Sequence, residues 1–440
     1  MTSRILVPFQ GEGTGVGPLT WAQHSMWQTM QESGRSMNIG GALPLPPGTP
    51  LEAMTRTLQY LVSRHPALRT RLEFGGDGPP RQVVADAGEA VVEVVDVPAA
   101  GDAGAAAEEL RRRYLDDKFD YAVEWPVRMA VVRCGPELTH VVLVYCHLAV
   151  DSFGIDELVR DLAHLDGPAS PRDSLTPLAI AAGEQTPGGV RKSRKSLRYW
   201  EQQLLSLPAP QPGASGDARE PRFWELTLRS PAIHRALRTV AHRTGFDSTF
   251  VALAAYTVAR GRLAGGGPVA AQLVVNNRFR PGYADAVGLL VQNGLCVIDA
   301  ADEPFDELVR RAWNAATNAF AHGYYDPAGL AELLHRLPRD IAYLVNDRRG
   351  GTAAGATIPT ADEVKAAVAL TTSQWTRKID RLTYTMIVNI DAAADGTDAV
   401  DVAVTADTHR IGPAGIEAFG RELEAVLVAA ASEGEPNRAQ

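Results

Sequence analysis

Cysteine is scarce in this chain of 440 residues: Cys134, Cys146 and Cys296 stand far apart, with no CxxC pair among them. That spacing argues against a disulfide framework and against a structural zinc site, both of which need paired or regularly spaced sulfur. Long apolar runs are missing at the start of the chain as well. The opening MTSRILVPFQGEG carries one Arg and a short apolar stretch broken by Pro8, which reads as neither a signal peptide nor a membrane span. Positive charge is in deficit. With a net charge of −9, the chain has neither nucleic acid nor an anionic membrane as an expected partner. The expectation is a cytoplasmic, soluble protein with reduced thiols and no bound metal.

What is present is an ordinary globular balance, 45% hydrophobic and 22% charged, in a chain long enough for two sizeable cores. The first half mixes helices and strands. Thr20 suits an N-cap for a helix from Trp21 to Met30, and Leu51 to His65 has apolar residues at helical spacing. β-rich runs follow at Arg81–Ala85 and Val91–Val97, then a helix near Ala105–Leu115. The strand pair Val127–Arg133 and Thr139–Val150 comes next, and Ile155, Leu158, Leu162 and Leu165 then share one helical face. From Asp166 to Ser196 proline, glycine and serine accumulate, which predicts a connection between two lobes. The basic cluster Arg191, Lys192, Arg194, Lys195 and Arg198 has no interleaved aromatics and reads as a solvated helix start.

The second half repeats the mixture without a short-period repeat. Helices are predicted over Pro231–Arg243 and Ser248–Leu263, with Gly245 as the stop between them, and over Phe305–His322 and Pro413–Ala431. Strands are predicted at Val269–Val275, Leu289–Ile298, Leu382–Ile390 and Asp398–Ala406, and a mobile loop at Arg348–Thr360. The domain reading is residues 1–175, a linker over 176–196, and residues 197–440.

The segment Tyr145-Cys146-His147-Leu148-Ala149-Val150-Asp151-Ser152-Phe153-Gly154 carries the chemistry. It leaves a hydrophobic strand and enters an amphipathic helix, a junction that exposes side chains at the edge of a sheet. His147 there can act as a general base or donate to a developing charge, and Asp151 can fix the local geometry through a buried ion pair. Taken alone, a histidine beside a strand end is more often structural. Cys146 and His147, as neighbours on a strand, point to opposite faces and do not form a nucleophilic pair.

This segment resembles the HHxxxDG signature of condensation domains from nonribosomal peptide synthetases and of chloramphenicol-acetyltransferase-like enzymes. Cys146 stands at the first His, His147 at the second, Asp151 at the Asp and Ser152 at the Gly. Other matches fall in family order. Leu19–Trp27 is similar to SxAQxRxW, Arg64–Leu72 to RHExLRTxF, and Tyr199-Trp200 with Leu204 to the helix that opens the second lobe. Asn277-Arg278 with Val287–Asn293 is similar to GR…IGFFVNT, His322–Pro327 to HQDxPFE, and Lys378–Thr383 to KFDLT. The resemblance spans about residues 18–431.

The resemblance implies an α/β fold of two chloramphenicol-acetyltransferase-like lobes that form a V around a central tunnel, with crossover segments from the second lobe. It implies a stand-alone acyltransferase, expected as a monomer. This moves an acyl group from the phosphopantetheine arm of a carrier protein to an amine or alcohol, with no permanently bound cofactor. His147 would be the catalytic residue, and Asp151 would pair with Arg278 to hold the loop. Two departures from the pattern bear on activity: Cys146 replaces a supporting His, and Ser152 replaces a Gly whose lack of Cβ matters near the centre. Gly154, two positions on, would restore flexibility. Gln292 stands for the usual Asn. The alternative is a non-catalytic module of the same fold that recruits a carrier protein or a tailoring enzyme. Arg64, Arg69 and Arg71 are candidate rim charges for carrier docking.

Overall fold

The computed structural model of the chain describes residues 2–76, 78–98, 101–167, 174–209, 215–299, 303–349, 357–393 and 395–433. They divide into two compact units, Met1–Ser193 with Asn276–Gln292, and Arg194–Val275 with Asn293–Gln440.

The first unit contains β1 (Thr2–Gln10), β2 (Gly15–Pro18), α1 (Trp21–Ser33), β3 (Ile39–Pro44), α2 (Leu51–Arg64), β4 (Thr70–Glu73) and β5 (Arg81–Val84). These are followed by β6 (Ala87–Val97), α3 (Ala103–Asp116), β7 (Val127–Cys134), β8 (Glu137–Tyr145), α4 (Ser152–Asp161) and α5 (Pro177–Glu184). Five strands form one sheet in the order β1-β6-β7-β8-β3, and β2-β5-β4 form a small second sheet. Strands β6 and β7 are parallel, and α3 makes the crossover between them that such a pair requires. Alternation along β7 decides the layering. Val127, Met129 and Val131 pack with Leu58, Leu61 and Val62 of α2, whereas Ala130 and Val132 pack with Ala107 and Leu110 of α3.

The N-terminal strand β1 was not expected, because Pro8 breaks its apolar run. The strand tolerates Pro8 because it lies at the sheet edge, where a missing N–H costs little. Thr20 does cap α1, in a reciprocal box: its hydroxyl accepts from Gln23 N at 3.1 Å and Gln23 Oε1 accepts from Thr20 N at 2.9 Å.

The stretch 176–196, predicted as a linker, is helical. Thr176 caps α5 with Pro177 at its first position, and α6 (Pro187–Ser206) follows, so that the unit boundary falls inside α6. Proline here starts helices rather than marking a loop. Residues 276–292, assigned from sequence to the second half, cluster with the first unit.

The second unit continues with β9 (Phe223–Ser230), α7 (Pro231–Thr244), α8 (Ser248–Ala264), β10 (Pro268–Val275), β11 (Gln292–Asp299), α9 (Phe305–Ala321) and α10 (Pro327–Arg336). It ends with β12 (Tyr343–Asp347), α11 (Ala361–Ala367), β13 (Thr372–Ile379), β14 (Met386–Ala392), β15 (Val400–Asp407) and α12 (Pro413–Ser432). Its strands form one sheet in the order β11-β10-β12-β14-β15-β9-β13. One face packs on α7, α8, α9 and α12 through residues such as Ile233, Ala255, Val309 and Phe419. The other packs on α6 and α10 through Trp200, Leu204 and Leu333. Gly245 ends α7 in the left-handed conformation, φ 74°. Of the predicted loop at Arg348–Thr360, residues 350–356 lie outside the described residues. Among the described residues no helix is long and apolar enough to cross a membrane.

Candidate active site

The strand expected to run through Val150 ends at Tyr145. Residues 146–150 form a turn in which Cys146 N donates to Pro126 O at 3.0 Å and Ala149 N to Cys146 O at 2.9 Å. The apolar run misled because Leu148, Ala149 and Val150 are buried in this turn just as strand residues would be. Cys146 points inward among Leu19, Met30, Leu72, Phe119 and Leu148, beside a cavity of about 20 Å³, which is room for one water. Burial pushes its thiol up to about 12, so it is a protonated, packed side chain. Its inward direction agrees with the expectation, but the turn rather than strand alternation sets it.

His147 is half-buried on the same turn, with Nδ1 2.9 Å from Val150 O. A carbonyl only accepts, so Nδ1 carries the proton, and in the neutral ring the lone pair is then on Nε2. His147 has no further hydrogen-bond partner among the described residues. The contact is short-range: Val150 lies three residues on, and the turn that presents the ring also fixes its tautomer.

Asp151 caps α4 and is fully used. Oδ1 accepts from Gly154 N at 2.8 Å, and Oδ2 accepts from Leu290 N at 2.9 Å and Val291 N at 3.3 Å. Arg278 adds Nη1 to Oδ2 at 3.0 Å and Nη2 to Oδ1 at 2.8 Å, and Asp151 is 1% exposed. Buried charge of this kind persists only when paired and hydrogen-bonded, and both conditions are met. Arg278 also donates to the carbonyls of Ala286 and Gly288, at 3.2 and 3.3 Å. Asn277 takes φ 57° and donates Nδ2 to Leu290 O at 2.9 Å, which folds 276–292 back on itself.

Gly154 does not act through flexibility. It sits inside α4, where a Cβ would fall 2.5 Å from Val150 Cγ2, 3.1 Å from Gly288 O and 3.3 Å from Arg278 Nη2. The missing Cβ belongs at this position rather than at Ser152, which is exposed at the first position of the helix. The far end of α4 is pinned as well: Asp161 Oδ2 lies 2.5 Å from Arg64 Nε and 3.1 Å from His65 Nε2. Gln23 Nε2 donates to Leu148 O at 3.2 Å, tying α1 to the turn beside His147, and Gln292 Nε2 donates to Ser25 Oγ at 3.3 Å.

Arg69 is no rim residue. It is 0% exposed and donates to the carbonyls of Val62, Ala85 and Glu12, a role open to any arginine whose five donors find backbone. Arg71 lies 3.4 Å over the Trp125 ring. Missed by sequence reasoning were the backbone partners Leu290, Val291, Ala286 and Gly288, whose identity leaves no side-chain signal. Among the described residues no three His, Cys, Asp or Glu side chains are grouped as metal ligands would be.

The sequence matches the Condensation domain family over residues 14–341, ending short of the expected 431. A probable non-canonical nonribosomal peptide synthetase, CymA of Salinispora arenicola, is 29% identical over 333 residues, 69% of this chain but 4% of CymA. Enniatin synthase of Fusarium equiseti is 28% identical over 340 residues, 72% of this chain and 10% of that protein. The chain thus spans a small fraction of these curated relatives. Among solved structures, a condensation domain studied for chain release from the enacyloxin polyketide synthase aligns with TM-score 0.72 at 18% identity, covering 98% of this chain and 85% of that one. The X-domain from teicoplanin biosynthesis aligns with TM-score 0.71 at 19% identity, covering 94% of each. With the family match over most of its length and this fold, the chain belongs to the condensation-domain family of nonribosomal peptide synthesis.

Proposed function

We propose that this chain is an acyltransferase that moves an acyl or aminoacyl group from a carrier-protein thioester to an amine or hydroxyl acceptor, with His147 as its catalytic residue. The observation that carries this reading is the state of His147: a tautomer fixed through Val150 O and an Nε2 lone pair without a protein partner among the described residues. In the proposed reaction Nε2 takes the proton of the acceptor N–H or O–H as that atom attacks the thioester carbonyl. The tetrahedral intermediate collapses, the C–S bond breaks, and the imidazolium returns the proton to the leaving thiolate. One C–N or C–O bond forms and no redox change occurs. The Asp151–Arg278 pair takes no part in proton transfer; it holds the turn that presents His147.

A second reading has its own support. The X-domain of teicoplanin biosynthesis is also solved in complex with OxyB, and that complex aligns with TM-score 0.69 at 20% identity. Together with Cys146 in place of the first His, this favours a recruitment module. Incubation with acyl-carrier thioester and a panel of amines and alcohols, followed by the carrier's mass, separates the two. Acyl loss that needs both acceptor and His147 supports transfer. Carrier binding without turnover, unchanged in His147→Ala, supports recruitment.

A further inference from the structure

The 20-residue helix α6 has two opposite faces. Trp200 and Leu204 are fully buried, and Ser193 and Ser196 lie on the same side. At 100° per residue, Arg191, Arg194, Lys195 and Arg198 fall together on the other side with Lys192 at their flank, and all five are exposed. Leu205, 63% exposed, continues that face one to two turns further on. None of the five cations makes an ion pair among the described residues, while the next acid along the helix, Glu201, is held by Arg336 at 2.9 Å.

The stripe does not serve the helix. Like charges recur at three- and four-residue spacings, which repel, and four of the five occupy the half nearer the positive end of the helix dipole, with no acid in the first turn. In a chain of net charge −9, five unpaired cations on one face are a local excess set against the whole. The stripe from Arg191 to Leu205 is about 21 Å long, the length of a short helix. A cationic stretch ending in an exposed apolar residue complements an acidic helix with one apolar side chain. A long polyanion fits less well, since no aromatic is interleaved with the cations and the rest of the chain repels it.

We propose that this face of α6 docks an acidic helical surface of a partner protein, and, resting on the acyltransfer reading above, that the partner is the carrier protein delivering the acyl thioester. Rim charges of this kind govern association and its salt dependence.

The test uses the full chain carrying Arg191→Glu, Arg194→Glu and Arg198→Glu, with the three Gln substitutions as a second variant should reversal disturb folding. Two donors are compared: acyl groups on a panel of phosphopantetheinylated carrier proteins, and the same acyl groups on N-acetylcysteamine. The expected result is a KM for the carrier-bound donor raised on the order of tenfold or more, with kcat and the small-thioester kinetics unchanged. An unchanged carrier KM would overturn the assignment. If neither donor turns over, the acyltransfer reading fails, and fluorescence anisotropy with labelled carrier proteins decides docking alone. Salt-sensitive binding lost in the variants then supports the stripe; no binding by the unmodified protein, or binding that survives reversal, sinks it. Duplex DNA and phosphatidylglycerol vesicles serve as rival probes, and stripe-dependent binding to either with carrier binding intact would reassign the face.

Discussion

Arg278 meets Asp151 with both terminal nitrogens, one to each carboxylate oxygen at 3.0 and 2.8 Å, although 127 residues separate them in the chain. Around that pair the first turn of α4 and the segment 276–292 are joined, and His147 stands on the turn just before it.

Removing either partner leaves the other charged, buried and unpaired. Asp151→Ala and Arg278→Ala should each cost about 3–5 kcal/mol in chemical denaturation. The double variant should be less damaged than the sum of the two. Strict additivity between well-folded single variants would contradict direct coupling.

Gly154→Ala should destabilise by about 1–3 kcal/mol, because the new methyl meets Val150 Cγ2 and the Gly288 carbonyl in a packed region. Ser152→Ala, at an exposed position two residues away, should stay within about 0.5 kcal/mol. Thermal melts of the two variants side by side check this. Equal effects would mean that Gly154 is not needed for close approach.

His147→Ala should lower acyl transfer by about 10² to 10⁴ while leaving the melting temperature close to that of the parent, since among the described residues the half-buried ring bonds only the Val150 carbonyl. Full activity in the folded variant refutes the catalytic assignment.

The Cys146 thiol stays protonated well above neutral pH, so iodoacetamide should label it slowly in the native state and quickly once unfolded. Its pKa is raised by burial from 9.0 to about 12, so between these values the unfolded chain ionises first. The contribution of this thiol to stability is full below pH 9 and is lost as pH rises toward 12. Stability measured by denaturation across that window should fall less steeply with rising pH in Cys146→Ala, and that variant should keep part of its activity. A trapped acyl-Cys146 species in mass spectrometry would point instead to a ping-pong enzyme.

Local signals were legible where the physics is local. The Thr20 cap, the Gly245 stop and the α2 spacing each rest on a few neighbouring residues, and each lies where expected. The end of β8 was misplaced because burial, rather than strand pairing, explains why Leu148 and Val150 are apolar. Likewise, the prolines at 177 and 187, whose accumulation in the sequence predicts a connection, both open helices. The pairing of Asp151 with Arg278 was reached only through family resemblance, since nothing local to either residue specifies a partner so distant. Arg69 is buried rather than at a rim for the reverse reason: its partners are backbone carbonyls, which leave no trace in side-chain identity.

The enrolment of Asn276–Gln292 in the first unit has a bearing on biosynthesis. A ribosome that has released only residues 1–193 has made every strand of the two sheets there, yet Asp151 still lacks Arg278 and the amides of Leu290 and Val291. Completion waits for about another hundred residues, roughly 5–20 s of synthesis at ordinary elongation rates. A nascent chain therefore passes through an interval with an unpaired carboxylate at the base of α4, and a fragment cut at the unit boundary stays in that condition permanently. Expressing the first unit alone would require grafting the later segment back through a new connection.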